Sequence, residues 1–136
     1  MQCTLVDNQS DLSGVISMYA SFLSVSNSII AYNRSVAAID VSGEVTISCT
    51  DIFANRGGDW GGLEEYEGLY GNLCEDPLFC DLEAGDLQLN TRSPCAPDVN
   101  PSCGLIGAYS VGCGGVPGCW EASWGSVKAL FRGPPE

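Results

Sequence analysis

The chain of 136 residues has no histidine, and its 5 lysines and arginines stand against 17 aspartates and glutamates. Without an imidazole, the commonest general base and the commonest metal ligand are both missing. The formal net charge of −12 repels phosphate backbones, which argues against nucleic acid as a partner. No apolar run approaches the length of about 18 residues needed to span a bilayer as a helix. There is no Cys-x-x-Cys pair, so a zinc site has little support. Gly-x-Ser-x-Gly and a Cys–His nucleophile are also lacking. The opening "MQCTLVDN" has neither a basic stretch nor a long apolar one. It starts in strand-like sequence, so an export signal and earlier rungs are expected upstream.

What is present is glycine, short β-like runs and a repeat. Three apolar runs each end in asparagine, "CTLVDN", "NSIIAYN" and "CTDIFAN", placing Asn8, Asn33 and Asn55 in register at spacings of 25 and 22 residues. In that register Leu5, Ile30 and Ile52 align, as do Val25 and Ile47. Further β-like pieces, "GVISMY", "VAAIDV" and "EVTIS", lie between the runs. A period of this length, built from short strands and tight corners, reads as a solenoid. The Leu-x-x-Leu-x-Leu frame of leucine-rich repeats and the amphipathic helices of helical repeats are absent, which leaves a parallel β-helix. Asparagine suits a corner because it tolerates left-handed backbone. Its amide also donates and accepts, so stacked copies can bond up a ladder.

"SNSIIAYN", "CTDIFANRGGDW", "EDPLFCDLEAGDLQLNTRSPCA" and "GLIGAY" together resemble the C-terminal part of bacterial right-handed parallel β-helix repeat proteins. The carrying motifs are Asp76-Pro77-Leu78-Phe79, Gly85-Asp86 with Leu89, Ser93-Pro94-Cys95 and Ile106-Gly107-Ala108-Tyr109. The resemblance covers roughly residues 1–113. It implies a pectate-lyase-like architecture, with secretion or surface display and often no assigned activity. The expected fold is therefore all-β, a right-handed parallel β-helix of about three rungs with a loop-rich C-terminal cap and a short tail helix. Residues 1–71 would form the rungs, with an acidic and aromatic loop protruding at 56–71. Residues 72–113 would close the coil, and 114–136 would form the tail. There a helix over 124–132 would dock with Trp120 and Trp124 as an extra cap, or serve as a sorting tail.

Eight cysteines stand at 3, 49, 74, 80, 95, 103, 113 and 119. Six of them, Cys74, Cys80, Cys95, Cys103, Cys113 and Cys119, crowd the loop-rich region, as disulfides in an exported protein would. Cys3 and Cys49, in strand-like segments, are the better candidates for buried free thiols. The pairing cannot be read from the sequence.

No catalytic residue is assigned. Nine acids and no base lie from Asp59 to Asp86. Calcium is the one cofactor candidate, with Asp76, Asp81 and Asp86 as ligands, although no EF-hand frame is present and turn capping is the simpler reading. For a glycan, Arg34 and Arg56 are expected to stack at one corner, where two cations could grip a sugar carboxylate, although ordinary corner residues are the simpler reading. Tyr19, Tyr32, Trp60, Tyr66 and Tyr70 would offer stacking surfaces, the last three on the loop, with Trp60 packed back onto the coil wall as the alternative. Carboxylate-pair chemistry would draw on Asp40 and Asp51. The first functional expectation is a non-catalytic extracellular module, structural, adhesive or glycan-binding. The alternative is the end of a secreted polysaccharide lyase or glycoside hydrolase with its active rungs upstream. Expected partners are a polysaccharide or cell-surface glycan, with upstream rungs or end-to-end self-association supporting a thin core.

Overall fold

The computed structural model describes residues 2–114. The expected tail helix at 124–132, Trp120, Trp124 and Cys119 lie outside the described residues. The fold is all-β, with parallel sheets stacked as a solenoid. β1 (Thr4–Val6), β3 (Ile29–Ala31) and β5 (Asp51–Phe53) form one parallel sheet, in which Leu5 pairs Ile30 and Ile30 pairs Ile52. β2 (Gly14–Ser26) and β4 (Ala37–Ser48) form a second parallel sheet, with a register shift after Tyr19. At that shift a Cβ on Gly43 would lie 2.1 Å from the Ser21 carbonyl oxygen, so only glycine fits.

Side chains of the first sheet alternate between two cores. Leu5, Ile30 and Ile52 point into the coil and meet Val25, Ile39 and Ile47. Ile29 and Ala31 point outward and meet Leu89, Cys95 and Ile106 of the C-terminal segment.

The asparagine ladder is present. Asn33 Oδ1 accepts the Asn8 backbone N–H at 2.9 Å and the Asn8 amide at 3.0 Å. Asn55 Oδ1 accepts from Asn33 in the same way, at 3.1 and 2.8 Å. Asn33 Nδ2 also donates to the Leu5 carbonyl, and Asn55 Nδ2 to that of Ile30. The left-handed corner residue is not the asparagine itself, however. It is the residue before it: Asp7, Tyr32 and Ala54, with φ of 55°, 58° and 57°. The carboxamide is thereby turned inward, where Asn33 is only 1% exposed.

A second ladder, unseen in the sequence, holds the next corner. The Cys3 N–H donates to Ser28 Oγ, and the Thr50 N–H to Asn72 Oδ1, both at 3.1 Å. Here Asn27, Cys49 and Gly71 take the left-handed position.

Two expectations about the C-terminal half change. Residues 56–71 do not protrude. They fold back as the third coil, with Trp60 and Leu63 buried in the interior core and the Tyr66 hydroxyl donating to the Val45 carbonyl at 2.8 Å. Their glycines hid the apolar residues that make this packing possible. The segment 72–113 begins as a fourth coil, with Leu73 bridged to Asp51. It then covers the outer face of the first sheet, where Ile29 and Ala31 would otherwise be wet. Its strands are β6 (Phe79–Asp81), β7 (Asp86–Asn90) and β8 (Val111–Cys113), with β7 between the other two. From Cys103 to Ala108 the chain crosses the coils in turn. Cys103 is disulfide-bonded to Cys49, the Gly107 N–H donates to the Asn27 carbonyl, and the Ala108 N–H donates to Thr4 Oγ1.

Cys80 pairs with Cys113. Cys3, Cys74 and Cys95 are free thiols. Cys49 is thus not the free thiol expected of it. It occupies a corner stacked under Gly71, where a Cβ would sit 2.6 Å from Cys103 Sγ, so the missing side chain makes room for the bridge.

Asn33→Ala removes two acceptor and two donor bonds in the dry interior, and the orphaned partners cost about 3 kcal/mol. The exposed Asn8→Ala is expected to cost under about 1 kcal/mol. Urea unfolding of the two variants checks this, and equal losses would refute a buried ladder.

Candidate functional site

Arg34 and Arg56 do stack. Their backbone N–H groups donate to the Asn8 and Asn33 carbonyls at 2.7 and 2.9 Å. Their charges are already met by carboxylates. Arg34 Nη2 lies 2.7 Å from Asp7 Oδ1, and Arg56 Nη2 lies 3.9 Å from Asp11 Oδ1, all four side chains being at least half exposed. Exposed pairs of this kind hold weakly, but they cancel the local field that would gather a sugar carboxylate. Trp60 is in the core, 3% exposed, so it offers no stacking face to a ligand. The structure therefore does not bring Arg34, Arg56, Trp60 and Tyr66 into one site.

Two of its grooves carry the aromatic side chains considered for binding. In the first, of about 290 Å3, Tyr66 and Tyr70 face the end of β4 at Thr46, Ile47 and Ser48. The two rings are 6.1 Å apart at 48°. The Val45 carbonyl anchors Tyr66, whereas Tyr70 is 68% exposed with a left-handed backbone. Aromatic walls beside the hydroxyls of Thr46 and Ser48 present the mixed apolar and polar surface that a sugar ring requires. Tyr70 carries the exposed ring here. Its signal in the sequence was the pair of tyrosines in "EEYEGLYG".

The second groove, of about 410 Å3, lies between the first sheet and the turn before β7. Val6, Tyr32, Leu82 and Leu87 form its walls, and Asp7 and Glu83 its carboxylates. The Tyr32 hydroxyl donates to Asp76 Oδ1 at 2.9 Å. Burial and that carboxylate raise its pKa to about 12, so it remains a phenol.

The candidate calcium acids are occupied by their own turns. Asp76 Oδ1 also accepts from the Leu78 N–H, Asp81 Oδ1 from that of Ala84, and Asp86 Oδ1 from that of Gln88. Among the described residues no three acidic or sulfur side chains converge as metal ligands.

The two carboxylates considered for sugar chemistry stand on different sheets, Asp40 on β4 and Asp51 on β5. Asp51 is fully buried beneath the C-terminal segment. Its Oδ1 accepts the Glu75 N–H at 3.1 Å, and Cys95 Sγ donates to its Oδ2 at 3.2 Å. Burial raises the Asp51 pKa to about 6, and burial followed by the Asp51 charge pushes the Cys95 thiol up. The pair is a latch between coil and C-terminal segment, closed to substrate.

No family model, no curated protein and no solved structure matches the chain. Two disulfides fit an extracellular location. Among the described residues no helix is long and apolar enough to cross a membrane.

Because the folded-state pKa of Asp51 lies above its ordinary 3.8, the native state holds the extra proton between about pH 4 and 6. Its stabilisation is complete below that window and is lost as pH rises through 6. The loss is expected to reach about 3 kcal/mol. Denaturant midpoints measured from pH 4 to 7 should fall in the native chain. In Asp51→Asn that part of the slope should vanish, and an unchanged slope would remove Asp51 as its source.

Proposed function

We propose that this chain is an extracellular, non-catalytic β-solenoid module that binds glycan through the groove of Tyr66 and Tyr70. The observation that carries the reading is Tyr70, an exposed aromatic ring standing beside an anchored one at the mouth of that groove. The four closing motifs support a place among bacterial pectate-lyase-like β-helix proteins. The net charge of −12, together with the pairing of Arg34 and Arg56 to aspartates, favours a neutral polysaccharide or cell-surface glycan over a uronate polymer.

A second reading, the end of a secreted polysaccharide lyase or glycoside hydrolase, is favoured by one observation. Asp7 and Glu83 both line the other groove, beside Tyr32, and glycosidases need two carboxyls flanking one bond.

Titration against neutral and acidic polysaccharides distinguishes the two. Under the first reading Tyr70→Ala lowers affinity about tenfold, no new reducing ends appear, and Glu83→Gln is silent. Unchanged binding by Tyr70→Ala would sink the first reading. Release of reducing ends that Glu83→Gln abolishes would establish the second.

A further inference from the structure

We propose that the N-terminal face of the solenoid is a docking face for one further parallel β-coil with its own corner asparagine. Among the described residues β1 pairs only with β3, and β2 only with β4, so both strands present an open backbone edge. The interior behind that edge is incompletely covered. Leu5 is half-buried where its ladder partners Ile30 and Ile52 are fully buried. Ile16 is half-buried where its partner Ile39 is 4% exposed.

The ladder specifies what would fit. The corner oxygens of Asn33 and Asn55 each accept two N–H bonds from the asparagine one coil earlier. Asn8 Oδ1 occupies the equivalent place and has no protein partner among the described residues. The Nδ2 groups of Asn33 and Asn55 also reach carbonyls of the preceding coil, and Asn8 makes no such bond. The missing neighbour is therefore a parallel strand offering a backbone N–H, a carboxamide and a strand carbonyl. β2 agrees with this. Its sequence "GVISMYASFLSVS" has no charge and no proline, the devices that protect a strand edge meant to stay free.

A second copy does not meet the specification. The far end of its ladder is closed by Asp59, whose Oδ1 takes both the Asn55 N–H and the Asn55 amide at 2.8 and 2.9 Å. Trp60 and Leu63 cover the interior beside its β4.

Two experiments test this. In the first, a copy of residues 3–27, with its own cysteine changed to serine, is fused directly ahead of Cys3 in the full chain, which preserves the 25-residue spacing of Asn8 and Asn33. Amide hydrogen exchange in β1 and β2 should slow about tenfold or more. Asn→Ala at the copied corner should remove most of that gain. In the second, a synthetic peptide of residues 28–35 is titrated into the unmodified chain. NMR shifts should be confined to the β1 edge and the Asn8 side chain, and the peptide with Asn33→Ala should produce none. A positive result in either experiment supports the proposal. If the fused coil exchanges freely and the peptide shifts nothing, the proposal is wrong. It is equally wrong if the unmodified chain sediments as a dimer with β2 protected, because the occupant would then be a second copy.

Discussion

One hydrogen bond, repeated, holds this molecule in its shape: a corner side-chain oxygen accepts the backbone N–H of the coil before. Strand ladders satisfy the backbone along the flat faces of a solenoid, but at each corner the chain turns and its amides lose their partners. At one corner Asn33 and Asn55 supply the missing acceptors, and at the next Ser28 and Asn72 do so. Because these groups are buried, each coil is fixed in height and rotation relative to its neighbour. A ladder of this kind needs a terminus, and Asp59 provides it. The carboxylate has oxygens to accept with and no N–H left to donate, so the chain of bonds ends there without an orphan.

The corner bonds also let a three-residue strand serve two cores. Ile29, Ile30 and Ala31 are all fully buried, on alternating faces. A parallel sheet is stable when both of its faces are covered. Here the coil interior covers one and the C-terminal segment covers the other. Asp51 is the exception on the outer face, a carboxyl kept dry by a thiol and an amide donor.

The sequence revealed whatever repeats by identity. Three asparagines with isoleucine or leucine three residues earlier disclosed the coil, its period and its interior positions. It concealed whatever repeats by function alone. Cys3, Ser28, Thr50 and Asn72 share only a place in the turn, and their spacings of 25, 22 and 22 residues were the available signal. The third coil was hidden for a different reason. "RGGDWGGLEEYEGLYG" has no alternation because a single 3-10 turn and isolated anchors, Trp60 and Leu63, replace the strand. At the candidate site Tyr66 was legible as an aromatic on a loop, whereas the neutralisation of Arg34 by Asp7 depends on two coils meeting at one corner.

Solenoids ordinarily couple each repeat only to the next, so they can fray or be peeled one coil at a time. The segment from Cys103 to Ala108 changes that mechanics. It runs across the coils like a batten nailed over planks, covalently fixed to Cys49, hydrogen-bonded to Asn27, and hydrogen-bonded again to Thr4 at the far edge. A tension that would strip coils singly must first tear the batten free along its whole length. Resistance to pulling is thereby concentrated into one abrupt failure instead of a series of small ones.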